Sequence, residues 1–204
     1  SNIKLLPEHG AGFDPYPVLR LEARDENGNL LAITKVVLPV STELGCSSCH
    51  GTSPELGDRP GLGRETAFNI LAVHDRLSRT ALLRQARQGI MVRCNDCHAD
   101  AATRGTPDQL NLSAALHGFH VNFLKDRGRR ACDLCHPSAP TGRTRMSRDI
   151  HASLGMDCTS CHGVLEDQAL ELLKKEQQQG KLHAQQLMRR IAPHAMASIE
   201  AVKP

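Results

Sequence analysis

The chain has 204 residues, of which only 2% are aromatic: no Trp, one Tyr and four Phe. Hydrophobic residues make up 40%, below the roughly 45–50% usual in soluble domains. Aromatic side chains ordinarily dominate core burial, so the interior must be filled by something else. The charge, 25 basic against 22 acidic residues, is too even to indicate a nucleic-acid binder. The best apolar run, Leu30 to Val40, is broken by Lys35 and Pro39 and falls short of the roughly 18 residues of a membrane span.

In chain order, Ser1 to Pro17 is rich in Gly and Pro and reads as a loop. Leu19, Leu21 and Ala23 then alternate with Arg20, Glu22 and Arg24. Asp25-Glu26-Asn27-Gly28-Asn29 supplies a turn, and Leu30 to Val40 returns as a β-branched strand, which together predict a small hairpin. Gly51 to Gly63 is another loop. Helices are predicted over Glu65 to Leu77 and over Ser78 to Gln88, the latter ended by Gly89. A further helix over Asn111 to Asp126 carries Leu112, Leu116, Phe119 and Phe123 on one stripe. Pro137 to Thr144 is a loop, and a short helix from Met146 to Leu154 ends at Gly155. Two polar helices, residues 165–179 and 181–192, follow around Gly180, and Pro193 restarts a last one. The fold class expected is mainly α with large loop content and a small N-terminal β-hairpin. Its organisation is a loop and hairpin over 1–43, a core over 44–163 and a helical tail over 164–204.

The unusual counts are eight Cys and eleven His. The cysteines fall into four pairs, Cys46/Cys49, Cys94/Cys97, Cys132/Cys135 and Cys158/Cys161, and each pair is followed at once by a histidine: His50, His98, His136 and His162. With histidine at 11 of 204 positions, four such followers have chance odds on the order of one in a hundred thousand. C-x-x-C-H is the attachment sequence of c-type haem. Two cysteines at this spacing can form thioethers with the two vinyl groups on one porphyrin edge, and the following imidazole binds iron from below. Paired C-x-x-C knuckles could instead build two zinc sites, but zinc does not require a histidine directly after each second cysteine. A thioredoxin-type redox motif rarely occurs four times, and a disulfide within each C-x-x-C would be strained. Four covalent haems (iron) are therefore expected as cofactors, and as large flat apolar bodies they would replace the missing aromatics. Without them little stable structure is expected.

On these four motifs the chain resembles the multihaem c-type cytochromes, the match covering roughly Leu44 to Gly163. The stretches NILAVHDRLSRTALL, LSAALHGFH and DIHASLGMDCTSCHG look like segments of multihaem cytochromes from metal-respiring bacteria. The resemblance implies export to the periplasm or cell exterior, in which case a chain without a signal segment is mature or trimmed.

Iron has a second axial position, and its occupant separates an electron carrier from an enzyme. Seven histidines lie outside the motifs. His74 shares a helix face with Ile70 and Leu77. His117 and His120 are i,i+3 neighbours on a face with Val121 and Leu124, so one helix can address two haems. His151 lies seven residues before Cys158. These four are the expected distal ligands, and the alternative for each is a core-facing or propionate-bonded histidine. His183, His194 and His9 are expected at the surface, and Met91 and Met156 as core filling. Arg127, Arg129, Arg130, Arg143, Arg145 and Arg148 are placed either to pair with haem propionates or to form a solvated face. With four ferric haems the net charge becomes about −1, and with four ferrous haems about −5.

The function expected is electron transfer through four mostly bis-His haems, between redox partner proteins or to an extracellular acceptor, with no catalytic residue, no nucleic acid and no transmembrane segment. Two alternatives stand beside it. One is a reductase of nitrite, hydroxylamine or a similar substrate at one open haem. The other is a module of a longer multihaem cytochrome or filament, open to self-association or a neighbouring haem module.

Overall fold

The computed structural model describes residues 8–9, 12–13, 18–37, 44–51, 62–99, 105–136 and 150–192. The expected loop over Pro137 to Thr144 and the helix beyond Pro193 lie outside these residues, as does most of the loop from Gly51 to Gly63. The described chain is mainly helical, with two small antiparallel strand pairs.

The N-terminal segment expected as a loop contains a short pair, β1 (Glu8–His9) with β2 (Gly12–Phe13). The predicted hairpin forms from β3 (Val18–Arg24) and β4 (Leu30–Val37), with Leu21 opposite Thr34 and Ala23 opposite Ala32. Its turn is held by two side chains: Arg24 donates to the Gly28 carbonyl at 2.8 Å, and Asp25 supplies the larger share. Asp25 accepts hydrogen bonds from the backbone N–H of Asn27 and Asn29 and from the Asn29 side-chain amide, at 3.0, 2.8 and 2.9 Å. Gly28 takes the left-handed backbone the turn requires, at φ 84°.

α1 (Arg64–Ser78) matches the predicted helix, but the second helix starts later than predicted, at α2 (Leu82–Arg87). Asp75 explains the break. Its carboxylate accepts from the N–H groups of Leu82 and Leu83, at 2.8 and 2.9 Å, and so satisfies the donors at the start of α2. Arg79 closes α1 in the left-handed region. α3 (Leu112–Leu124) is capped by Asn111, whose side-chain oxygen accepts from Ala114 N at 2.8 Å. Three short helices follow, α4 (Arg130–Cys135), α5 (Ile150–Ser153) and α6 (Thr159–His162). The tail forms α7 (Leu165–Gln178) and α8 (Leu182–Ile191), with Gly180 at φ 84° in the turn between them.

The chain divides into two compact units, Ser1–Leu83 with Cys132–Ser160, and Arg84–Ala131 with Cys161–Pro204. The apolar residues buried among those described all belong to the second. Leu110, Ala114, Leu173, Ala184, Leu187 and Met188 form one cluster where α3 meets α7 and α8, and Val121, Ala131, Leu165 and Ala169 form another. Burying each leucine is worth about 1.5–3 kcal/mol. Gly118 lets α3 approach closely: a Cβ there would lie 3.1 Å from a Leu173 methyl and 3.2 Å from a Leu187 methyl.

The face α3 turns to this core is Ala114, Gly118 and Val121. Its large apolar stripe, which an amphipathic helix would ordinarily bury, points the other way. Phe123 is 67% exposed and Leu116 37%, and Phe119 packs beside Phe123 with ring centroids 5.4 Å apart. The tail, polar by composition, supplies the complementary core face.

Candidate haem sites

All four C-x-x-C-H segments form one tight helical turn. The first two are short 3-10 turns, Cys46–Ser48 and Cys94–Asp96, in which the carbonyl of the first cysteine accepts from the histidine N–H at 2.9 Å (Cys46, His50) and 2.8 Å (Cys94, His98). The third lies at the end of α4, with the same bond from His136 to Cys132 at 2.8 Å, and the fourth includes α6. Asp157 caps that turn by accepting from Thr159 N at 2.8 Å and from the Thr159 hydroxyl at 2.6 Å.

Imidazole nitrogens distinguish a ligand from a surface histidine. His98 Nδ1 is 2.8 Å from the Leu110 carbonyl, His50 Nδ1 is 2.9 Å from Asn69 Oδ1 on α1, and His162 Nδ1 is 3.1 Å from Gln168 Oε1 on α7. These oxygens only accept, so Nδ1 carries the proton and the neutral ring keeps its lone pair on Nε2. That tautomer is the one an Nε2-bound metal requires, with the second ring nitrogen fixed by a hydrogen bond.

The same geometry recurs at three of the expected distal ligands. His117 and His120 Nδ1 each donate to the carbonyl four residues back, Ser113 and Leu116, at 2.8 Å. His74 Nδ1 is 3.1 Å from the Thr80 hydroxyl, whose own proton goes to Asp75 at 2.6 Å, so the hydroxyl accepts from the imidazole. By helical geometry His117 and His120 flank the outward stripe of Leu116, Phe119 and Phe123, and the Phe119 ring stands edge-on to His120 at 5.3 Å. Two imidazoles beside an exposed apolar-aromatic stripe fit the edge and face of a porphyrin. His151 sits on α5, but its side chain lies outside the described residues.

The eight cysteines are thiols not joined in disulfides. Burial, followed by the neighbouring thiols of Cys46, Cys49 and Cys132, pushes the Cys135 pKa up to about 11. Burial, and then Cys158 and Asp133, raise that of Cys132. A thioredoxin-type motif needs a lowered thiol pKa, so these two have the opposite character. Among the described residues no three His, Cys, Asp or Glu side chains converge as a metal site, and the paired tetrathiolate sites zinc would need are not assembled there. Haem iron asks less of the protein, because the porphyrin supplies four ligands and only two axial side chains are needed.

Sequence reasoning missed the groups that hold these histidines. Asn69 and Gln168 carry no local signal, whereas Asn111 and Asp157 are recognisable as caps ahead of helical segments. Glu176 was hidden in the polar tail yet is 2% exposed. It accepts from Asn111 N at 2.7 Å, Asn111 Nδ2 at 2.8 Å and Lys181 Nζ at 2.8 Å. This anchors the residue that follows Leu110, the His98 partner. His183, expected at the surface, is exposed on α8. Desolvation, then Arg190 and His98, lower its pKa. No described helix is long and apolar enough to cross a membrane. Comparison with protein-family models, with curated proteins and with solved structures finds no match.

Proposed function

We propose that the chain is an electron-transfer protein holding four covalent c-type haems, exported to the periplasm or cell exterior, where it relays electrons between redox partner proteins or to an extracellular acceptor. One observation carries this reading. Four C-x-x-C-H segments share one turn, and three of their histidines have Nδ1 bonded to an oxygen that can only accept, the tautomer that an Nε2-bound iron would require.

When bound, each haem supplies a one-electron ferric–ferrous couple. The chain's residues do the rest. Cys46, Cys49, Cys94, Cys97, Cys132, Cys135, Cys158 and Cys161 tether the porphyrin edges, and His50, His98, His136 and His162 are the proximal ligands. His74, His117, His120 and His151 are the distal ones. Asn69, the Leu110 carbonyl and Gln168 fix three proximal rings, so oxidation and reduction proceed with little ligand movement. The Leu116–Phe119–Phe123 stripe would shield porphyrin from water and favour the ferrous state, whose iron–porphyrin core is neutral.

A pyridine-haemochrome count together with low-temperature EPR of the oxidised holo-protein tests the proposal. Four haems with only low-spin ferric signals are expected. A stoichiometric high-spin signal would move the reading to a reductase with one open iron or to a module completed by another chain, and fewer than four haems would overturn the cofactor assignment.

A further inference from the structure

The first and third motifs are separated in sequence by the second, yet their backbones are bonded to each other. The N–H of Gly45, directly before Cys46, donates to the carbonyl of Cys135 at 2.9 Å. Gly45 is buried, and a Cβ on it would overlap the Leu134 carbonyl oxygen. The two turns therefore touch with no side chain between them. Cys135 also lies within electrostatic reach of both Cys46 and Cys49. Both turns belong to the unit formed by Ser1–Leu83 with Cys132–Ser160, whereas Cys94, Cys97 and His98 belong to the other.

A thioether holds a porphyrin edge at its cysteine, so groups tied to touching turns begin side by side. We propose that the haems held by Cys46/Cys49 and by Cys132/Cys135 form a directly coupled redox pair, so that the order of electron transfer departs from the order of motifs in the chain. This rests on the electron-transfer reading above. Within the pair one electron leaves the ferrous iron bound by His50 and reduces the ferric iron bound by His136, or the reverse, and no bond or proton moves. Glycine at position 45 is the device that brings the turns together.

The test uses the four-haem holo-protein and progressive power saturation of its low-spin ferric EPR signals. A nearby ferric haem shortens spin relaxation, so losing it lowers the half-saturation power of its neighbour. The first-motif signal is identified as the one lost in Cys46→Ala with Cys49→Ala. Removing the third haem by Cys132→Ala with Cys135→Ala should lower the half-saturation power of that signal severalfold. Gly45→Val, which keeps every attachment residue but wedges the turns apart, should lower it in the same direction, and it decides the matter if the cysteine variant does not fold. An unchanged half-saturation power in both the third-motif variant and Gly45→Val would overturn the pairing. Failure of the electron-transfer reading itself would be seen earlier, as a parent protein with fewer than four haems.

Discussion

Replacing Glu176 by Ala should destabilise the protein more than any surface substitution in its polar tail. The carboxylate is 3% exposed and Lys181, its partner at 2.8 Å, is 11% exposed. It also accepts both the backbone and side-chain N–H groups of Asn111. Removing it strands a largely buried ammonium and two partly buried amide donors. Breaking such a pair from one side costs about 3–5 kcal/mol. Glu176→Gln keeps the shape and one acceptor but turns an NH2 toward donors and leaves Lys181 without a counter-charge, a loss of about 1.5–3 kcal/mol. Glu176→Leu with Lys181→Met should recover part of the Ala loss, because replacing both members of a buried pair by apolar groups is often neutral. The Asn111 donors still remain to be satisfied. Urea unfolding of the holo-protein followed by far-ultraviolet circular dichroism measures the series. If Glu176→Ala falls within about 1 kcal/mol of the parent, the network is not what joins α3 to the tail and the reasoning fails.

The pH dependence of the same group provides a control. Burial pushes its pKa up, but the hydrogen bonds from Lys181 and Asn111 outweigh that and leave it below the ordinary 4.5. A depressed folded-state pKa gives stability that is present above the unfolded value and is lost as pH falls through the folded one. The parent should therefore lose stability more steeply than Glu176→Gln below about pH 4.5.

Other expectations follow from the same geometry. Gly118→Val should cost about 1–3 kcal/mol by overpacking against Leu173 and Leu187, seen as a lowered Tm, whereas Gly118→Ala should lower Tm less, because about 0.5–1 kcal/mol of helix propensity offsets its tight Cβ contacts with the same leucines. Asn69→Asp would place an anion on the His50 Nδ1–H and favour ferric iron. A tenfold preference lowers one of the four midpoint potentials by about 59 mV, and an unchanged spectroelectrochemical titration would contradict the role of Asn69. His117→Ala and His120→Ala should each convert one haem equivalent to high spin by EPR, and His183→Ala should convert none; high-spin signal from the last would make α8 the source of a distal ligand. Replacing all eight cysteines by Ala should abolish most of the structure and leave at most the helical circular dichroism of α3, α7 and α8, whose core is made of protein side chains.

Much of this fold was legible because the signals were local. Alternation with an Asp-Glu-Asn-Gly turn gave the hairpin, Asn111 announced the start of α3, and Gly180 divided α7 from α8. The break after Ser78 was not legible, because it depends on Asp75 reaching seven residues along the chain to Leu82. The C-x-x-C-H residues could be named from spacing alone. Their supporting groups could not, since Asn69 and Gln168 act through tertiary approach and Glu176 is a charge buried only because Asn111 and Lys181 converge on it.

The apolar stripe of α3 shows how such a sequence misleads and then informs. Leu112, Leu116, Phe119 and Phe123 have the spacing of a core face, and two of the chain's four Phe are spent there. Yet the helix packs on its tail partners through Ala114, Gly118 and Val121, the small residues that permit close approach. A soluble helix that buries its small side and exposes its aromatic side is leaving large apolar area in water, which is unfavourable unless another apolar body covers it. The two histidines on its flank, with Nδ1 tied back to the helix, are the groups that the proposed haem reading would use as iron ligands beside that stripe. The same inference accounts for where the protein-made core is found. All buried apolar residues among those described lie in the unit containing α3, α7 and α8. The unit containing the touching first and third motifs buries Gly45 and Thr66 but no large apolar side chain among its described residues. On the proposed reading, covalent porphyrins held at fixed positions by cysteine would do the work that aromatics do in other cores, which accounts for a chain with only 2% aromatic residues.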